Sequence, residues 1–174
     1  MHGTLQTVDL ATAAGLDAAV AAQCEAEAVT GRLHDVRRLV ADALTAPSVR
    51  QAASSPHWRE VYACTPVDGG RLLEGYVDLL YRRADGLVVV DYKTAATADP
   101  AELDRRVAGY RIQGASYALA VAASTGEPVV QVTFLFLTPD GPVERHLVDL
   151  DRAVADVRAL VLAGAEVLVG DADE

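Results

Sequence analysis

The sequence predicts a single α/β domain, one mixed β-sheet flanked by helices with a helical segment in front, and three observations carry that expectation. Helical segments come first, a three-strand meander follows, and then a helix, a strand pair and a closing helix. Leu87-Val88-Val89-Val90 is apolar at every position, as a central strand covered on both faces should be. At 174 residues, with no internal repeat and no linker, the chain fits one domain.

The elements follow in order. Leu10 to Val29 is Ala-rich with scattered acids and reads as a helix. Gly31 breaks it, and His34 to Leu44 continues as a second helix with apolar positions at Val36, Leu39, Val40 and Leu44. Pro47 follows, and Ser48 is placed to cap a short helix ending before Pro56. These helices make an N-terminal segment over residues 1–56. The core, residues 57–150, opens with a strand from Arg59 to Cys64 that ends at Pro66, and Asp68-Gly69-Gly70 is a hairpin signal. A second strand spans Arg71 to Tyr81, and Asp85-Gly86 turns the chain into a third, Leu87 to Tyr92. After Asp99-Pro100, helical sequence starts at Ala101, resumes after Gly109 and runs to Ser124, where Gly126 and Pro128 end it. Val129 to Leu137 is another buried strand, Thr138-Pro139-Asp140-Gly141 a turn, and Val143 to Val148 a half-exposed strand. A helix from Leu150 to Val169 and an acidic tail close the chain, residues 151–174 forming its C-terminal part.

Composition narrows the function classes. Hydrophobic residues make up 51% and charged residues 23%, which describes a packed protein and not a disordered tail. No apolar run reaches the ~18 residues of a membrane span. The start, MHGTLQTVDL, has neither a basic leader nor an apolar stretch, so no secretory signal and a cytoplasmic location are expected. Cys24 and Cys64 stand alone without Cys or His spacing, which excludes an iron–sulfur cluster, a zinc site or a disulfide framework and marks both as small core hydrophobes. The net charge of −10 argues against autonomous, tight nucleic-acid binding. Fourteen of the fifteen basic residues are arginine, and Lys93 is the only lysine. A lysine kept where arginine is otherwise used points to a task that needs a compact, titratable ammonium. No G-x-x-x-x-G-K-[ST] occurs, so any ATP-driven motor must lie elsewhere.

The chemistry-bearing stretch is Gly75-Tyr76-Val77-Asp78 followed by Asp91-Tyr92-Lys93-Thr94. A two-residue turn at Asp85-Gly86 sets Asp78 against Lys93, whereas a four-residue loop from Arg83 to Gly86 sets it against Asp91. In either register Asp78, Asp91 and Lys93 share one face, because strand side chains alternate with period two. Cross-strand neighbours lie roughly 4.5–8 Å apart, a span that suits two carboxylates sharing a divalent cation. A hard magnesium or manganese ion would relieve their repulsion, polarise a phosphate and lower the pKa of water. Lys93 could then hold that water or offset charge on the phosphate.

Four ordered elements, Trp58-Arg59-Glu60-Val61, Gly75-Tyr76-Val77-Asp78, Asp91-Tyr92-Lys93-Thr94 and Gln113-Gly114-Ala115-Ser116-Tyr117, resemble those of the RecB/AddA-type nuclease domain. That domain is the C-terminal part of ATP-dependent helicase–nucleases and belongs to the RecB-like branch of the PD-(D/E)XK superfamily. The resemblance runs from about His2 to Val148. It implies a restriction-endonuclease-like fold, metal ligation by Asp78, Asp91 and the Tyr92 carbonyl, and a catalytic Lys93. Gln113 and Tyr117, four apart and so on one helical face, orient the lysine or contact DNA in such a domain. A metal-binding histidine from an N-terminal helix fits His2-Gly3-Thr4-Leu5 better than Leu33-His34-Asp35-Val36. Glu60, Glu74 and Arg111 are candidates for supporting the site or contacting DNA.

What the resemblance implies about function is an exonuclease that hydrolyses DNA phosphodiesters with Mg2+ or Mn2+ in double-strand break repair and recombination. Its partners would be DNA, chiefly single-stranded ends, a helicase motor in cis or in trans, and a second helicase–nuclease subunit, with no membrane involved. The rival from another class is a nuclease-like fold without catalysis, serving as a DNA-binding or assembly module. A small-molecule phosphohydrolase using the same carboxylates is the third reading.

Overall fold

The structure, a computed structural model, describes residues 1–67 and 71–163. Four helices precede the sheet: α1 (His2–Thr7), α2 (Leu16–Ala26), α3 (Leu33–Thr45) and α4 (Pro47–Ala53). Strands β1 (His57–Val67), β2 (Arg71–Arg83) and β3 (Gly86–Thr94) follow, then α5 (Pro100–Thr125), β4 (Val129–Thr138), β5 (Gly141–His146) and α6 (Leu150–Leu162). Spatial order equals chain order, β1-β2-β3-β4-β5, and β3 with β4 is the parallel pair. A parallel pair needs a long crossover, which α5 supplies.

Both faces of the sheet are covered, as an all-apolar β3 requires. On one face Leu87 and Val89 of β3 pack with Phe134 and Phe136 of β4 under α5 and α6. On the other, Val88 and Val90 pack with Leu135 and Leu137 beneath α1, α3 and α4. Every residue from Leu87 to Lys93 is buried. No helix among the described residues is long and apolar enough to cross a membrane.

Several expectations are corrected locally, each for a physical reason. The first long helix does not begin at Leu10. Asp9 Oδ1 accepts from the Ala11 N–H (3.0 Å), the Thr12 N–H (2.7 Å) and the Thr12 hydroxyl (2.8 Å), and Gly15 takes φ 81°. This local turn outcompetes the helix that alanine content favours, so α2 starts at Leu16. Ser48 caps nothing: Pro47 already opens α4, and the Ser48 N–H donates to Glu144 Oε1 at 2.8 Å. Helix α5 runs unbroken through Gly109, started by Asp99, whose Oδ1 accepts the Glu102 N–H at 2.8 Å. Pro66 continues β1 instead of ending it, which an edge strand tolerates. Cys24 is buried, but Cys64 is only half-buried, because its edge strand leaves it partly open to solvent. The Asp68-Gly69-Gly70 turn and the end of the closing helix lie outside the described residues.

Gly114 shows how closely α5 approaches the sheet. A Cβ there would lie 2.9 Å from Phe134 Cζ and 3.0 Å from Val132 Cγ1. Gly114→Val should therefore cost about 1–3 kcal/mol by overpacking. At roughly 2–4 °C per kcal/mol, thermal unfolding would show a loss of several degrees. An unchanged midpoint would mean that α5 can stand off from β4.

Candidate active site

The site is built where β2 and β3 part. Arg83 pairs with Gly86, so the two turn residues are Ala84 and Asp85, one position earlier than Asp85-Gly86. The Arg83 guanidinium bridges to the Asp85 carboxylate across this turn. The last ladder pair is Leu79 with Val90, and the same alignment carried one step further sets Asp78 opposite Asp91. Leu87 and Ala95 give their N–H groups to Pro128 O and Leu137 O on the β4 side, so the N–H groups of even-numbered β3 residues point to β2. Beyond Val90, Asp78 Oδ2 takes the Tyr92 N–H at 2.7 Å. A side chain thus replaces the backbone acceptor, and the two strands open there.

Strand β1 explains why Asp78 can turn sideways. Glu60 has φ 51°, a left-handed conformation that is strained for a residue with a Cβ. The pairing runs Arg59 with Leu79 and then Val61 with Val77, skipping Glu60 and Asp78. Both strands change face across this gap. Leu79 packs beneath the N-terminal helices, whereas Val77 packs under α5. Arg59 reaches α1, with Nη1 on Leu5 O (3.1 Å) and Val8 O (2.6 Å), whereas Val61 joins the α5 side. Asp78 sits at the crossover, and its side chain reaches along the sheet to β3.

Asp91 and Lys93 share the α5 face of β3 with Leu87 and Val89. Lys93 Nζ lies 3.2 Å from Asp91 Oδ2, and their side chains are 2% and 3% exposed. So dry an ion pair is costly to desolvate and costlier still to break. Above it stands α5. Lys93 Nζ is 4.7 Å from the centre of the Tyr110 ring. Gln113 and Tyr117 are buried one turn apart, Gln113 Nε2 donating to the Tyr117 hydroxyl at 3.4 Å. Arg106 holds the strand end from the side, donating to Thr94 O and to the Tyr110 hydroxyl, each at 2.9 Å.

Tyr92 faces the opposite way, toward α1. Its ring lies 6.1 Å from that of His2, and burial, with the nearby Asp78 carboxylate, pushes its phenol well above the usual range. His2 Nε2 and the Tyr92 hydroxyl are both buried without a hydrogen-bond partner among the described residues. A cavity of about 280 Å³ opens here, lined by Met1, His2, Gly3, Glu27, Tyr92, Lys93 and Thr94.

The structure therefore brings Asp78, Asp91, Tyr92 and Lys93 to one strand end, with His2 across the cavity and Gln113 and Tyr117 on the overlying helix. It does not gather His2 with both aspartates: among the described residues, no three His, Cys, Asp or Glu side chains form a group that could hold a metal ion. A magnesium-type site does not demand three, since that ion keeps several waters and needs one or two carboxylates. Glu60 occupies the kink opposite Asp78. Glu74 stands away from the site, exposed on β2, accepting the Tyr62 hydroxyl and thereby pushing that phenol up to about 12. Arg111 is turned to α6, 2.8 Å from Asp156 Oδ2, where it ties two helices together. His34 is an exposed residue of α3. Tyr110 is the residue that the motifs do not include, although it lies three residues before Gln113 and so on the same helical face.

A family model described as the PD-(D/E)XK nuclease superfamily matches residues 2–172. No curated protein matches the chain. Among solved structures, the crystal structure of SSO0001 aligns over 78% of this chain and 69% of that one, with 16% sequence identity and a TM-score of 0.42. Matched by its family model over nearly its full length, and with a mixed sheet between helices, the chain belongs to the PD-(D/E)XK nuclease superfamily.

Proposed function

We propose that this chain is a deoxyribonuclease dependent on Mg2+ or Mn2+, an exonuclease module of a RecB/AddA-type helicase–nuclease that processes double-strand breaks. The observation that carries this reading is the opening between β2 and β3, which sets Asp78 beside the Asp91–Lys93 pair. The donor set is the oxygen-rich one a hard cation prefers: two carboxylates and the Tyr92 carbonyl, with the buried His2 Nε2 as a further candidate. When bound, such an ion supplies Lewis acidity toward a phosphoryl oxygen and lowers the pKa of water. The Lys93 ammonium stands ready to offset charge growing on the phosphate, or to hold the attacking water. Asp91 sets an opposite charge 3.2 Å from that ammonium. Gln113 and Tyr117, buried on the overlying α5, would orient the lysine or contact DNA.

Charge supports dependence on a delivery partner. With a net charge of −10, the chain repels duplex DNA. Its arginines near the strand ends offer little relief: Arg82, Arg83, Arg105 and Arg111 each face a carboxylate, on Glu127, Asp85, Glu102 and Asp156 respectively, and Arg106 is engaged by the Thr94 carbonyl and the Tyr110 hydroxyl. A motor that threads a strand past the site would supply the missing effective concentration. A second helicase–nuclease subunit would complete that assembly.

The test is incubation with linear single- and double-stranded DNA, with and without Mn2+, alongside a binding titration in Ca2+. Slow, salt-sensitive cleavage only in the presence of Mn2+ is expected, with binding far weaker than nanomolar at physiological salt. Nanomolar binding would remove the need for delivery. A module without catalysis is the second reading, favoured by the absence of a three-side-chain metal group among the described residues. Binding of DNA with no cleavage in Mn2+ would establish it.

A further inference from the structure

We infer that Tyr110 is the positioning residue for Lys93, an inference that rests on the nuclease reading above. Lysine has a flexible four-carbon stem, and a catalytic ammonium gains only if it is held at one place. The Tyr110 ring presents its face to Lys93 Nζ at 4.7 Å, well inside cation–π range. The ring is itself immobilised from several sides. Phe134 and Phe136 of β4 pack against it with ring centres at 5.7 Å and 6.4 Å. Arg106 Nη2 donates to its hydroxyl at 2.9 Å, while Arg106 Nη1 is fixed on Thr94 O and its guanidinium lies over Phe136 at 5.6 Å. A half-buried tyrosine on α5 is thus locked to the strand that carries the lysine.

The ring does something the carboxylate cannot. Asp91 attracts the ammonium but is also a candidate cation ligand, so its charge is open to competition. An aromatic face neither ligates a hard cation nor accepts the lysine proton, so its hold on the ammonium does not depend on what Asp91 binds. The division of labour follows: Asp91 supplies the opposite charge, and Tyr110 keeps the ammonium in place.

Because Lys93 is the only lysine, a protein labelled with ¹³C-lysine gives one set of side-chain signals, and all of them report this site. The ε-methylene signal should be displaced upfield by the ring in the wild type and in Tyr110→Phe, and should return to the position of a free lysine in Tyr110→Leu. With Mn2+ and a DNA substrate, Tyr110→Leu should lose about tenfold in kcat with KM nearly unchanged, and Tyr110→Phe should restore most of it. Leucine keeps the apolar packing, and thermal unfolding of each variant checks the fold. A Tyr110→Leu protein with wild-type kcat, or with an undisplaced signal already in the wild type, would overturn the inference. If the leucine variant does not fold, a Tyr110→Phe kcat reduced as strongly as tenfold would overturn it too, because the ring face is then not what matters. An inactive wild type would sink the nuclease reading itself, and this inference with it.

Discussion

Asp91→Ala is expected to abolish metal-dependent DNA cleavage and, in the same protein, to lower stability by about 3–5 kcal/mol. The stability loss follows from burial. Lys93 Nζ is 3.2 Å from Asp91 Oδ2 and both side chains are almost fully enclosed, so removing the carboxylate takes its counter-charge from a buried ammonium. For a chain of this size that is roughly ten degrees of thermal midpoint. From the sequence alone the opposite sign could be argued, since two close carboxylates repel and deleting one should relieve strain. The ion pair reverses that argument. Asp78→Ala should abolish cleavage as completely, yet cost less stability, about 1–3 kcal/mol, for the loss of the carboxylate that accepts the Tyr92 N–H. Thermal unfolding and a cleavage assay on both variants check this. Near-normal cutting by Asp91→Ala would remove the proposed site, and equal midpoints would remove the proposed role of the buried pair.

Much of this arrangement could be read from the residues, because it depends on local rules. An all-apolar Leu87–Val90 demanded cover on both faces, and the helices on either side of the sheet supply it. The period-two rule placed Asp91 and Lys93 on one face of β3 with no knowledge of the fold. The same rule failed one strand earlier. Alternation along β1 and β2 reverses at Glu60 and Asp78, and nothing in Trp58-Arg59-Glu60-Val61 announces a residue at φ 51°. Such a kink is set by what the two strands pack against, with Arg59 drawn to α1 and Val61 to α5, and packing partners distant in sequence are not visible in a four-residue motif. Arg111 is a parallel case: helical spacing gives its face of α5, but Asp156 lies on another helix. Asp9 and Thr12, by contrast, carried a legible turn signal, and the turn they form prevails over the helix that alanine content favours. The lesson is one of range: local rules hold where a strand runs straight between its layers, as β3 does, and fail where packing partners distant in sequence kink it, as at Glu60 and Asp78.

Lys93 offers the sharpest separation of chemistry from stability. Lys93→Met keeps an unbranched chain of similar length and removes the charge, so cleavage should fall by orders of magnitude. Asp91 is then left buried without its ammonium, and stability should again drop by about 3–5 kcal/mol. Lys93→Arg should not rescue: the site is 98% enclosed at this side chain, and a planar guanidinium is bulkier than an ammonium and does not give up its proton. The combination Asp91→Asn with Lys93→Met neutralises both members at once. Replacing a buried pair by neutral groups of similar volume is often nearly neutral or stabilising, so the double variant should recover most of the midpoint lost by either single change. Its nuclease activity should stay at zero. Recovery of stability without recovery of cleavage would show that the pair contributes to the reaction and not merely to the fold. Additive losses in the double variant would show instead that the two charges do not sense each other, and the 3.2 Å contact would then have no energetic meaning.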